Sequence, residues 1–308
     1  MNMADCASES RVPSRLRALA AVALLQISAW VDPAPHQVEL VPVAGSVRLE
    51  VLDFGGKGRA VVLLAGLGNT AHVFDEFAPK LTAMGHVYAI TRRGYGASSR
   101  PASGYDVAQL GEDILAVLKA RRLEKPILVG HSYAGQELSY LASEHRAEIS
   151  GSVYLDAAYR YAFDVPGEFE KDFPSLPPPP ATPPAVARQL ITLPEAERRQ
   201  EPGSAIARQA IMEGGRQFTK IDVPALAIFA SPHDIGAAEP DPEFERFDEA
   251  QTERQAKAFE RGVRGARVLR WPRASHYLFL TREADVIREI TKFLATLRLS
   301  LGLILVNG

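Results

Sequence analysis

Residues Leu128-Val129-Gly130-His131-Ser132-Tyr133-Ala134-Gly135 constrain the chain more than any other stretch. An apolar, strand-like run meets a turn of small residues and passes directly into a helical pattern. A serine at such a corner is lifted clear of the sheet, with the first amides of the helix beside its hydroxyl. This is the strand-turn-helix form of a nucleophile elbow, usually spelled G-x-S-x-G. Ala134 takes the final position here, and Gly135 follows. The tight turn brings strand and helix together, so both sides must be small, and alanine meets that limit almost as well as glycine. Ser132 is therefore the candidate attacking group. A serine that merely caps a helix gives the same short string, so the weight of the motif depends on its surroundings.

Composition narrows the partners. The 35 basic and 37 acidic residues nearly cancel, which leaves no global field for nucleic acid or an anionic membrane. Cys6 is the single cysteine, so neither an internal disulfide framework nor a cysteine-rich metal site is expected. The seven histidines form no H-x-x-x-H or H-x-H pair, and local spacing gives a zinc site no support. No metal and no cofactor is expected. Residues 1–35 carry Arg11, Arg15 and Arg17 ahead of an apolar run over 18–31, then Asp32-Pro33-Ala34-Pro35. This pattern reads as a secretory signal peptide, with an N-terminal helix packed on the fold as the alternative. The run is short for a permanent membrane span, so no stable span is expected; export to the periplasm or beyond is expected, with a cytoplasmic protein as the alternative.

From Gln37 the pattern becomes that of short strands. Residues 38–43 and 46–54 alternate apolar with polar. Gly55-Gly56-Lys57-Gly58 reads as a hairpin between the second and third strands; it lacks the spacing of a phosphate loop. Continuous apolar runs at 59–65 (RAVVLLA), 86–91, 149–155 (ISGSVYL) and 224–230 (PALAIFA) are expected as strands buried on both faces of a parallel sheet. Helices are expected over 71–84, from an Asp106 cap to about 122, and over 247–261 and 282–297. Leu297, Leu299, Leu301, Leu303 and Leu305 alternate in a tail that suits a strand better than a helix.

Three pieces together, LLAGLGN after one buried strand, TRRGYGASSRP after the next, and the GHSYAG elbow, make the chain resemble the α/β-hydrolase superfamily over roughly residues 45–297. The resemblance implies an α/β fold: a mostly parallel central sheet with helices on both faces and a small, mainly helical cap. The core would comprise 36–156 and 221–297, with the cap inserted at 157–220 and an apolar tail at 298–308. Prolines at 177–180 and 183–184 mark a strap within that insertion. Carried over by motif position, the oxyanion amides would be the N–H groups of Leu67 and Tyr133. Ala65 stands where the family usually has histidine before its loop glycine.

The same resemblance implies a serine, an acid and a histidine in that chain order, each after a separate strand. Ser132, Asp234 and His276 fit it, with Asp234 as the expected acid. Asp156, at the end of the preceding strand, is the alternative, because some relatives place theirs there. His131 is expected to be structural, and His233 to be loop packing. A serine at the elbow argues against the epoxide-hydrolase and dehalogenase branches, which use aspartate there. The expected activity is acyl-enzyme hydrolysis by a carboxylesterase, its partner a small-molecule ester with an apolar part. An amide or peptide-bond hydrolase similar to proline iminopeptidases is the alternative, with Glu168, Glu170 and Asp172 as candidate amine binders. A non-catalytic ligand binder on the same fold is the third reading.

Overall fold

Eight strands build one sheet in the order β1-β2-β4-β3-β5-β6-β7-β8. They are β1 (Gln37–Ala44), β2 (Val47–Gly55), β3 (Ala60–Leu64), β4 (His86–Ile90), β5 (Ile127–His131), β6 (Gly151–Leu155), β7 (Ala225–Ala230) and β8 (Arg267–Trp271). The computed structural model describes residues 36–157, 218, 220–234, 236 and 242–306, with side chains through 297. The expected signal peptide lies outside the described residues, and so does nearly all of the expected cap. Among the described residues no helix is long and apolar enough to cross a membrane.

β1 and β2 form an antiparallel hairpin, β2 pairs antiparallel with β4, and the strands from β4 onward run parallel. The parallel strands are apolar because both faces are covered: β3, β5, β6 and β7 are buried at every position. One face packs against α1 (Val107–Ala120), α2 (Ala134–Glu144) and α3 (Pro242–Gly262), through residues such as Val117, Leu138, Leu141 and Phe259. The other face packs against short turns at Ala71–Phe74 and Ala78–Leu81 and against α4 (Glu283–Val306), through Phe74, Phe77, Ile290 and Phe293. Each fully buried aliphatic or Phe side chain contributes about 1.5–3 kcal/mol relative to exposure.

Three expectations need correction. The Gly55-Gly58 stretch is not a hairpin: β2 pairs with β1 and β4, and β4 lies between β2 and β3. Gly56 is required there for a different reason, since a Cβ would sit 2.1 Å from the Gly85 carbonyl oxygen at the entry to β4. The helix expected over 71–84 is two short pieces, a 3₁₀ turn capped by Thr70 and a second turn with Pro79 near its start. The leucine-rich tail is not a strand: α4 continues as helix to Val306. Leucine is among the better helix formers, and an existing helix extends without a new nucleation cost.

Strand order fixes where a site can form. After β3 the chain moves to β4 on one side, and after β4 it crosses back to β5 on the other. In an open parallel sheet the crevice at such a switch point, beyond the carboxyl ends of the strands, is the natural ligand site. Here the loop after β3 and the turn after β5 flank that crevice.

Candidate active site

The turn after β5 is sharp because Ser132 adopts φ +57°, a left-handed conformation costly for a residue with a side chain. Its N–H donates to the Leu155 carbonyl (3.3 Å), and its carbonyl accepts from Gly135 N–H (3.0 Å), so the corner is tied to β6 and to α2. Small residues surround it of necessity. A Cβ on Gly66 would lie 2.9 Å from Ser132 Cβ, one on Gly130 would lie 2.9 Å from a Leu138 methyl, and one on Gly135 would lie 1.7 Å from the Ala157 carbonyl oxygen. Ala134 is fully buried in this packing.

Across the crevice, the loop after β3 is a type II turn. Asn69 N–H donates to the Gly66 carbonyl (3.2 Å), and Gly68 at the third position has φ +87°. Arg92 fastens the loop from below. Its Nη2 donates to the Ala65 carbonyl (2.9 Å), while Nε and Nη2 form a fork on the Glu137 carboxylate (2.5 and 2.7 Å). Both partners are almost fully buried, and removing one of such a pair costs about 3–5 kcal/mol. No histidine at position 65 is needed for this anchoring. The side chains of Leu67 and Tyr133 pack on one small cluster of Tyr95, Tyr105 and Leu110, which brings the two loops together.

His276, in the turn after β8, donates from Nδ1 to Oδ2 of Asp156 at 2.6 Å. Its ring lies 4.5 Å from that of His131, and its carbonyl accepts from His131 Nε2 (3.0 Å), which locks the His276 backbone beside the elbow. His131 is fully buried, and burial together with the neighbouring His276 holds its pKa well below the ordinary value. A neutral ring donating one hydrogen bond is the result, in keeping with the structural role expected.

Asp156, not Asp234, faces His276. Asp234 is exposed; its Oδ1 accepts the Gly236 N–H (2.8 Å), and its own N–H donates to the Ala274 carbonyl (2.8 Å). The loop after β7 instead turns His233 inward. His233 Nε2 donates to the same Asp156 Oδ2 (2.7 Å), and Nδ1 points at the Asp248 carboxylate of α3 (2.9 Å). His233 is therefore more than loop packing: it bridges two carboxylates. Asp156 Oδ1 accepts the Ala230 N–H (3.0 Å), so both of its oxygens are engaged in a site 2% exposed.

The charge state of this cluster follows from its contacts. Burial disfavours charge on both His233 and Asp156, but mutual attraction and hydrogen bonding outweigh it. The Asp156 carboxyl is held below the usual carboxylate range by the His233 and His276 imidazoles. His233 is raised to about 10 by the charge of Asp156 and by its hydrogen bonds to Asp156 and Asp248. With His233 cationic and both carboxylates ionised, the group beside His276 keeps a net single negative charge. Asp248 thus restores the charge that His233 would otherwise cancel.

A histidine whose folded pKa is raised contributes its full stabilisation below the unfolded value near 6.5, and loses it as pH rises toward about 10. The unfolding free energy of the wild type is expected to fall across that interval by more than that of His233→Gln, by on the order of a few kcal/mol. Chemical denaturation at stepped pH measures both slopes; equal slopes would mean that His233 does not carry this proton.

The comparisons with known proteins fit this architecture. The model of the alpha/beta hydrolase family matches residues 61–289. An AB hydrolase superfamily protein of Bacillus subtilis, YisY, is 33% identical over 114 residues, 36% of this chain and 42% of that protein. Epoxide hydrolase A of Mycobacterium tuberculosis is 38% identical over 91 residues, 28% of each chain. The chain thus spans less than half the length of these curated relatives. Among solved structures, an esterase of Rhodococcus, RhEst1, superposes with a TM-score of 0.62 at 20% identity, covering 84% of this chain and 99% of that one. With the switch-point sheet and a left-handed serine corner on one hand and a family match over most of its length on the other, this chain belongs to the alpha/beta hydrolase family.

Proposed function

We propose that the protein is a serine hydrolase working through an acyl-enzyme, a carboxylesterase on small to medium apolar esters. The observation that carries this reading is the His276–Asp156 hydrogen bond beside an elbow whose central residue is serine. Position 132 offers a hydroxyl and not the carboxylate of the epoxide-hydrolase and dehalogenase branches, so the covalent intermediate is an ester on Oγ.

In this mechanism Ser132 Oγ attacks the substrate carbonyl carbon as its proton passes to His276 Nε2. Asp156 accepts from His276 Nδ1–H, which fixes the tautomer with a bare Nε2 and stabilises the imidazolium that forms. The new oxyanion is bound by the N–H groups of Leu67 and Tyr133, each such donor contributing about 2.7–4 kcal/mol to the transition state. The imidazolium then protonates the departing alkoxide as the C–O bond breaks. Water, deprotonated by the same nitrogen, attacks the acyl-enzyme and releases the acid. The apolar and aromatic packing of Leu67, Tyr133, Tyr95 and Tyr105 around the two loops supports an uncharged substrate.

Active-site labelling tests the reading. Incubation with an alkyl fluorophosphonate is expected to add one phosphonyl group, and peptide mapping to find it on Ser132. Labelled protein is expected to lose its turnover of p-nitrophenyl acetate and butyrate in step with labelling. Esters that turn over unchanged after complete labelling would remove Ser132 as nucleophile. Running matched anilides beside the esters separates ester from amide preference.

A further inference from the structure

A second cluster of titratable groups lies at the far end of the molecule's first strand, and no step of the mechanism uses it. His36 stands immediately before β1, His72 and Asp75 lie in and after the 3₁₀ turn that follows β3, and Glu50 belongs to β2. One donor atom from each of His36, His72 and Asp75 lies within 4.8 Å of the other two. His72 Nδ1 is 3.1 Å from Asp75 Oδ2, and His36 Nδ1 is 3.3 Å from Asp75 Oδ1. The two contacts run to different oxygens of Asp75, the first as a hydrogen bond, so the Asp75 carboxylate lies between the two imidazoles. Separations near 3.3 Å are also those between neighbouring ligand atoms of a tetrahedral ion with bonds of about 2.0–2.1 Å.

The independent observation is what these atoms lack. The His36 side chain is 4% exposed, yet neither its Nδ1 nor the facing Asp75 Oδ1 makes a hydrogen bond to any described residue, and both atoms are buried. The two buried atoms face each other at 3.3 Å without hydrogen-bond geometry. A buried polar group left without a hydrogen bond costs about 1–3 kcal/mol, and native structures commonly place an ion or water at such a gap. Behind the pair, Glu50 Oε1 lies 3.5 Å from His72 Nε2, and Thr91 Oγ1 donates to Glu50 Oε2 at 2.6 Å. A carboxylate on the outer nitrogen of a histidine is the arrangement that fixes a metal-binding tautomer and raises its basicity.

We propose that His36, His72 and Asp75 bind a divalent transition-metal ion, of the Zn²⁺ class, with Glu50 orienting His72 from the second side. Two imidazoles and a carboxylate are a borderline donor set that suits Zn²⁺ over Mg²⁺ or Ca²⁺, and three protein ligands leave a fourth position for water. The ion is structural. It joins the residue that opens β1 to the turn that begins four residues after Leu67 and whose Ala71 N–H donates to Thr91 Oγ1 (2.9 Å). Sequence spacing is blind to such a site because the ligands come from two separated segments.

The test is metal binding by the full chain after chelator treatment, followed by equilibrium dialysis against ZnCl₂ and by thermal unfolding. Wild type is expected to bind one more Zn²⁺ than either His36→Gln or Asp75→Asn, and to gain thermal stability on adding Zn²⁺ that both variants lose. Co²⁺ is expected to give the visible d–d absorption of a four-coordinate site in wild type, and not in His36→Gln. The His36 ring packs on Phe54 and His72, so circular dichroism before titration checks that each variant is folded, and Asp75→Asn is the second variant at the site. The same Zn²⁺ stoichiometry in all three proteins would overturn the site, since the ion then binds elsewhere, the Asp156–His233–His276 cluster included. No binding by wild type at submillimolar Zn²⁺, meaning water alone fills the gap, would overturn it equally.

Discussion

Ser132→Ala is expected to lower kcat for p-nitrophenyl butyrate by about 10⁶-fold, the scale seen when the nucleophile of a serine hydrolase is removed. The methyl group supplies no electron pair, so no acyl-enzyme forms. Residual turnover would come from substrate binding and from the Leu67 and Tyr133 amides acting on attack by water. Folding is expected to survive. Alanine is smaller than serine, the site is 7% exposed, and the backbone bonds at the corner run through main-chain atoms that both residues share. The left-handed φ of +57° disfavours any residue with a Cβ, serine and alanine alike. Single-turnover kinetics with a chromogenic ester measure the effect. A loss of less than tenfold would move the attacking group elsewhere.

Asp156→Asn is expected to cost about 10⁴-fold in kcat, whereas Asp234→Asn is expected to stay within a factor of about two, since surface substitutions typically change free energies by no more than about 0.5 kcal/mol. The reason lies in how an amide must sit at position 156. The Ala230 N–H needs an acceptor, so the amide oxygen takes the place of Oδ1 and the NH₂ takes the place of Oδ2. That NH₂ then donates toward both histidines. His276 must accept at Nδ1 and carry its proton on Nε2, the nitrogen that has to be bare to receive the serine proton. At position 234, by contrast, an amide side chain keeps an oxygen for the Gly236 N–H, and the exposed site lies away from the His276–Asp156 hydrogen bond. Parallel measurement of kcat for the two variants distinguishes the acids, and the reverse ranking would return the role to Asp234.

The elbow was legible because it is local. A strand, a strained corner and a helix within eight residues impose size limits at Gly130, Ala134 and Gly135 that appear directly in the letters. The buried strands were legible for a similar reason, since a strand covered on both faces must be apolar throughout, as 60–64 and 225–230 are. Pairing partners were not. Nothing in Gly55-Gly56-Lys57-Gly58 shows that β4 separates β2 from β3, because register and neighbour are decided by which strand completes the sheet.

The acid shows the same division at the scale of the site. Sequence alone offers a carboxylate after β6 and another after β7, with a chain order that admits both. What separates them is which residue of the β7 loop turns inward, and His233 does so because two carboxylates, Asp156 after β6 and Asp248 on α3, attract it from different directions. Asp248 carries no motif and lies mid-helix among other acidic residues, so no pattern marks it. By itself the sequence determined the buried strands, most of the helices, their order and the serine at the elbow proposed to attack, since these depend on periodicity and on neighbours along the chain. The tertiary structure alone decided the strand neighbours and which carboxylate meets His276, with its His233–Asp248 support, because these depend on electrostatic and packing contacts between segments dozens of residues apart.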